Sequence, residues 1–98
     1  MTAYTPFEGI LGQNEVATPA ASSADTTVTR SESVRLVNEG ANVCHVRIGS
    51  TVAAATTSDL PVLSGESIVV SKAFEFTKVS HISASGTTLH IQPGKGGY

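Results

Sequence analysis

Residues 33–48 read SVRLVNEGANVCHVRI, and apolar side chains recur at every second position in residues 33–36 and again in residues 44–48. Val34 and Leu36 alternate with polar residues, and residues 44–48 repeat the alternation, which is typical of strands with one buried face. Residues 38–42 lie between them and contain Asn and Gly, which tolerate positive φ. We therefore expect the two strands to close as an antiparallel hairpin.

The same period of two continues along the chain. Further strands are predicted at residues 26–30, 60–63, 66–71, 79–84 and 87–92. Ser85-Gly86 predicts a second hairpin, Pro61 restricts its strand to a sheet edge or a strand start, and the small residues 50–59 predict a long connection between sheets.

No window shows a sustained helical stripe, so the fold class is all-β. We expect a small antiparallel β-sandwich or a Greek-key barrel of six to eight strands, and the periodicity does not distinguish the two. The residues expected in the core are Leu36, Val46, Ile48, Ile68, Val70, Leu89 and Ile91.

The first 24 residues differ in composition from the rest. Four apolar side chains lie among Gly and Pro, and a stretch of small residues follows at 17–24. This predicts an extended N-terminal arm and linker over residues 1–24, followed by a β-sandwich domain with a short C-terminal tail over residues 25–98. The arm is either a frayed terminus or a segment that docks on a neighbouring subunit.

Charge and length exclude several classes of function. Ninety-eight residues make one small domain, and six Lys and Arg against eight Asp and Glu give a net charge of -2. Such a chain has no basic surface for nucleic acid or an anionic membrane, so we expect neither as a partner. No secretory signal or apolar run of membrane-spanning length is present, which predicts a soluble protein of a cytosol-like compartment.

No catalytic group can be assembled from the sequence, and we expect no enzyme activity, cofactor or metal. Cys44 lies on an apolar strand face, which favours a core position over a nucleophile. His45, His81 and His90 alternate with apolar residues and could share an exposed face, but no two lie in one strand at metal-ligand spacing. The Gly-Lys-Gly at residues 94–96 lacks the spacing of a phosphate loop.

Four motifs follow one another in the last two thirds of the chain: VRLVNEG at 34–40, VCHVRIG at 43–49, SDLPVLSG at 58–65 and LHIQPGKG at 89–96. Their order resembles a family of small virion structural proteins of tailed bacteriophages. The resemblance implies a capsid decoration (cement) protein or a head or tail accessory protein, with the major capsid protein or other virion proteins as partners. It also implies location in the virion, assembled in the host cytoplasm, and it transfers no catalytic residues.

A small carbohydrate- or receptor-binding β-module is the alternative interpretation, although few aromatic residues lie in the domain. We expect a homo-oligomer, with a trimer as the first possibility and a dimer as the second. The residues predicted to bind partners are Tyr4, Phe7, Ile10 and Leu11 in the arm, Phe74 and Phe76 on one face of an extended 72–78 segment, and Tyr98 at the end of the chain.

Overall fold

The computed structural model describes residues 6–51 and 53–97, which form nine strands in two antiparallel sheets. The strands are β1 (Glu8–Gly9), β2 (Glu15–Ala17), β3 (Ala24–Thr27), β4 (Ser33–Asn38), β5 (Cys44–Gly49), β6 (Leu60–Val62), β7 (Ser67–Ser71), β8 (Lys78–Ile82) and β9 (Leu89–Lys95). Within these ranges there is no helix that is long and apolar enough to cross a membrane.

Sheet A has the order β1-β9-β4-β7, with β2 also paired to β9, and sheet B has the order β3-β8-β5-β6. Four of the pairs are β2 with β9, β3 with β8, β4 with β7 and β5 with β6. The chain is therefore one long hairpin, with its tip between β5 and β6, rolled into two sheets. Strands β2 to β9 therefore have the topology of a jelly roll, which is an eight-stranded double sheet built from two Greek keys. β1 adds a ninth strand beside β9.

The all-β sandwich expected from the sequence is confirmed, with nine strands instead of six to eight. The two additional strands, β1 and β2, come from the segment that we expected to be an arm. Seven strands were predicted from the alternating pattern, and each has its counterpart among β3 to β9.

Both predicted hairpins are wrong. β4 and β5 lie in different sheets, and so do β8 and β9. The connections at 39–43 and 83–88 cross from one sheet to the other, a distance of about 10 Å that a few extended residues can span. The 50–59 connection was also misassigned, because it joins β5 and β6 within sheet B.

The Asn38 side chain ties several of these connections together at one end of the sandwich. Its amide nitrogen donates to the carbonyl oxygens of Asn42 at 2.8 Å and Val62 at 2.9 Å. Its carbonyl oxygen accepts from the Gly40 amide at 3.0 Å and the Thr87 hydroxyl at 2.7 Å. Because Asn38 is fully buried, these bonds replace water and fix both crossovers. We call this region the Asn38 end.

The core lies between the two sheets. Its buried side chains are Ala17, Val28, Val34, Leu36, Cys44, Val46, Val62, Val79, Leu89 and Ile91. Four of the expected core residues, Leu36, Val46, Leu89 and Ile91, are fully or almost fully buried. The other three, Ile48, Ile68 and Val70, are partly buried and pack against the same cluster.

Residues 8–17 lie along their own sheet and do not extend away from it. Glu8 is opposite Lys95, and Ala17, opposite Leu89, reaches the core. The Phe7 ring covers Gly94, where an added Cβ would be 2.6 Å from the ring Cζ atom. Any larger residue at position 94 would displace the ring. The close packing of Phe7 on β9 therefore depends on the glycine at position 94.

Truncation of the core should be costly. We expect Ile91→Ala to lower the free energy of unfolding by about 2–4 kcal/mol, because it removes buried atoms and leaves a cavity. Val16→Ala, on an exposed side chain of β2, is the control and should change stability by less than about 0.5 kcal/mol. Urea denaturation measures both, and equal effects at the two positions would contradict this placement of the core.

Removal of the Asn38 amide should also destabilise the fold. We expect Asn38→Ala to cost about 3 kcal/mol, because several buried backbone and hydroxyl groups lose their partner at once. Asn14→Ala is the matched control, since Asn14 is exposed and its amide makes only a 3.4 Å contact with His90. A cost below about 1 kcal/mol at Asn38 would show that the network is dispensable.

Candidate functional site

Three exposed apolar side chains lie at the end of the sandwich opposite Asn38. Ile10, Leu11 and Phe74 are 37%, 91% and 55% exposed, and we call them the apolar end. Ile10 is held against the sheet because its amide donates to the Pro93 carbonyl at 2.9 Å. Leu11 follows in a tight turn completed by Gly12, whose φ of 78° suits glycine.

Phe74 reaches this end from the β7–β8 connection. The connection turns where the Phe76 amide donates to the Ala73 carbonyl at 3.0 Å, and this turn places Phe74 at its exposed tip. Segment 72–78 is therefore not an extended strand, and Phe74 and Phe76 do not lie on one strand face as the sequence predicted. Phe76 is half-buried, whereas Phe74 is exposed.

A cavity of about 230 Å³ lies between the N-terminal segment and this connection. Its lining residues are Glu8, Ile10, Arg30, Ser31, Glu32, Phe74, Gly94 and Lys95. Lys95 Nζ is 3.9 Å from Glu8 Oε1, so charges of both signs surround an apolar centre. The volume is below the usual range for small-molecule sites and suits one large side chain of another protein.

The structure brings together some of the predicted contact residues and separates others. Ile10 and Phe74 line the same cavity, and Leu11 is next to Ile10. Phe7 instead packs on Gly94 and Gly97 of its own chain. Tyr4 and Tyr98 lie outside the described residues. That Ile10 and Phe74 line one cavity could not be predicted from the sequence, because the two residues are 64 positions apart in the chain.

A second cavity, of about 440 Å³, lies on the outer face of sheet B. Its lining residues are Ala21, Val43, His45, Thr57, Ile82 and Ala84. These side chains include no Phe, Tyr or Trp ring on which a sugar could stack. The cavity therefore adds no support to the carbohydrate-binding interpretation.

The three histidines do not share a face. His45 lies in sheet B and His90 in sheet A, where His90 Nε2 is 2.7 Å from Glu39 Oε1. His81 is buried between the sheets, because its strand partner is Val46 of the core. Across residues 6–51 and 53–97, no three His, Cys, Asp or Glu side chains form a group that could hold a metal ion.

Two titratable groups are buried in the interior. Cys44 is fully buried, which confirms its predicted place in the core, and this burial raises the pKa of its thiol. His81 is 3% exposed, and its Nε2 atom is 3.0 Å from Thr26 Oγ1, while its buried Nδ1 atom has no hydrogen-bond partner. Desolvation lowers the pKa of His81, with Asp25 opposing the shift.

Comparison with known proteins identifies no family for this chain. No protein-family model matches it, and no curated protein matches it.

The lowered pKa of His81 makes the stability dependent on pH. The unfolded chain takes up a proton near pH 6.5, whereas the folded chain keeps this imidazole neutral to a lower pH. The unfolded state therefore binds more protons in that window, and stability should fall as pH drops from about 6.5 towards the folded pKa. Urea denaturation at about pH 7.5 and about pH 5.5 measures the loss, which His81→Leu should reduce. A loss of the same size in the variant would contradict the assignment to His81.

Proposed function

We propose that this chain is a non-enzymatic structural protein of a tailed-bacteriophage virion, a decoration or cement protein that binds and stabilises the assembled shell. Its partners are the major capsid protein or other virion proteins, and it acts as a homo-oligomer in particles assembled in the host cytoplasm. A head–tail or tail accessory role is the nearest alternative, since the same fold and contacts would serve it.

The topology supports this proposal. Jelly rolls recur in viral capsid proteins, and they also occur in lectins and cupins, so the fold narrows the function without deciding it. The four motifs that resemble the phage family fall on β4, on β5, on β6 with its flanking turns, and on β9. These are the strands and turns that build the roll, and the resemblance therefore concerns the framework of the fold.

The observation that carries the proposal is the apolar end. Leu11, 91% exposed, and Phe74, 55% exposed, project at one end of a domain whose other end is closed by hydrogen bonds. Exposed large apolar side chains around a small cavity are typical of protein–protein contact sites. With only 14% charged residues, the chain offers few ion pairs for attachment.

Attachment through this end differs from docking of a free arm. Residues 8–17 pair with β9 of the same chain, so their backbone is already occupied. Deletion of residues 1–24 would remove two strands and expose the edge of β9, and it would test folding as much as attachment. Point substitutions at the apolar end are the cleaner experiment.

The test is binding to particles that lack this chain. Particles assembled without it, purified on a density gradient, are mixed with the purified protein and sedimented, and the bound copies are counted by quantitative mass spectrometry. We expect saturable binding, and we expect Leu11→Asp with Phe74→Asp to weaken it by about tenfold or more, because buried apolar anchors dominate such contacts.

Leu63→Asp is the matched control. Leu63 is 55% exposed, like Phe74, but it lies in the β6–β7 connection at the Asn38 end. It should bind as the unchanged protein does. Absence of binding by the unchanged protein would overturn the proposal, and equal loss in the control would overturn the assignment to the apolar end.

A further inference from the structure

Among the described residues, β7 is an edge strand of sheet A, and Gly97 lies against the side chain of its central residue, Val69. The strand pairs with β4 on one side, and its five residues, SIVVS, contain no charge, no proline and no glycine. The other edges are interrupted: β6 contains Pro61, β3 carries Asp25, and a turn separates β1 from β2. Natural proteins usually block an exposed edge by such devices, because it can pair with another chain.

The hydrogen bonds to β4 show which backbone groups of β7 face outward. The Glu66 carbonyl accepts from Asn38 at 2.9 Å, and the Lys72 amide donates to Glu32 at 3.0 Å. In an antiparallel pair, alternate residues face the partner strand. The even-numbered residues therefore bond to β4, and the amides and carbonyls of Ser67, Val69 and Ser71 point to the free side.

We propose that two copies of this chain associate through β7, antiparallel to each other, with Val69 of one copy opposite Val69 of the other. In this register Ser67 lies opposite Ser71 of the second copy, and Ile68 lies opposite Val70. All three outward-facing residues then form hydrogen-bonded pairs across the two-fold axis. Shifting the register by two residues in either direction leaves fewer of them paired.

Charge complementarity selects the same register. The stretch from Glu66 to Lys72 is symmetric in character about Val69, and Glu66 of one copy falls opposite Lys72 of the other at both ends. Glu66 Oε1 accepts from the Leu63 amide, and Lys72 Nζ donates to the Ser31 carbonyl at 2.7 Å. A carboxylate has a second oxygen and an ammonium has three donors, so both can add a cross-strand partner.

The pairing also covers apolar surface. Ile68 and Val70 face the core but are only partly buried, and a second β7 beside them would shield them further. The contact is isologous and closes at two copies, so it favours the dimer over the trimer. It joins the two copies of sheet A into one continuous sheet, and it does not depend on the proposed role in virions.

Mass measurement in solution tests the contact. Sedimentation equilibrium of the full chain at about 100 micromolar should show a dimer of 10.1 kDa protomers. Glu66→Lys and Lys72→Glu should each weaken dimerisation by about tenfold, because each places like charges opposite each other twice. The double variant should recover it. Glu15→Lys, the same charge change at an exposed position of β2, is the matched control and should have no effect.

Val69→Pro is a second probe that does not touch the Lys72 bond to Ser31. It removes an amide that faces away from β4, so circular dichroism should be retained while the dimer is lost. A monomer at about 100 micromolar for the unchanged chain would overturn the proposal. So would a dimer that survives Val69→Pro, or a double charge variant that dimerises no better than the single ones.

Discussion

The buried amide of Asn38 is the interaction on which the arrangement of the two sheets depends. An amide removed from water must find partners for two donors and an acceptor, and here they come from the β4–β5 connection, from β6 and from the β8–β9 connection. Asn42 and Ser83 extend the network to Gly86 and Val43. The bonds are 2.7–3.0 Å long and at least partly buried, so they hold two crossovers in one geometry while the apolar cluster supplies most of the free energy.

A rolled hairpin places its terminal strands side by side. β2 and β9 come from opposite ends of the described chain, and they meet next to β4 in sheet A. The fit of Phe7 onto Gly94 closes this edge from outside, while Ala17 fills the core from inside. The N-terminal segment is for this reason a structural element of the domain. Phe7 and Ala17 pack within the domain, whereas Ile10 and Leu11 are exposed.

That division gives the two ends of the molecule different properties. At the Asn38 end, polar groups of the connections form hydrogen bonds with one another. At the apolar end, Ile10 and Phe74 line a small cavity with charges of both signs, and Leu11 is exposed next to Ile10. The proposed attachment to a large assembly requires a stable framework and a separate contact surface, and the two ends of the domain are consistent with that division. The proposed pairing through the edge of β7 adds a route for self-association.

Seven of the nine strands and the absence of long helices could be predicted from the sequence, because alternation with a period of two is a local property of the backbone. The same pattern placed Cys44, Leu36 and Ile91 in the core. Which strands are neighbours could not be predicted, because pairing depends on contacts between residues far apart in the chain. The Asn- and Gly-rich turn after β4 is compatible with a hairpin and with a crossover, and the choice depends on what the Asn38 side chain can reach once β6 and β9 are in place. The burial of His81, and the lining of one cavity by both Ile10 and Phe74, likewise depend on contacts between residues far apart in the chain.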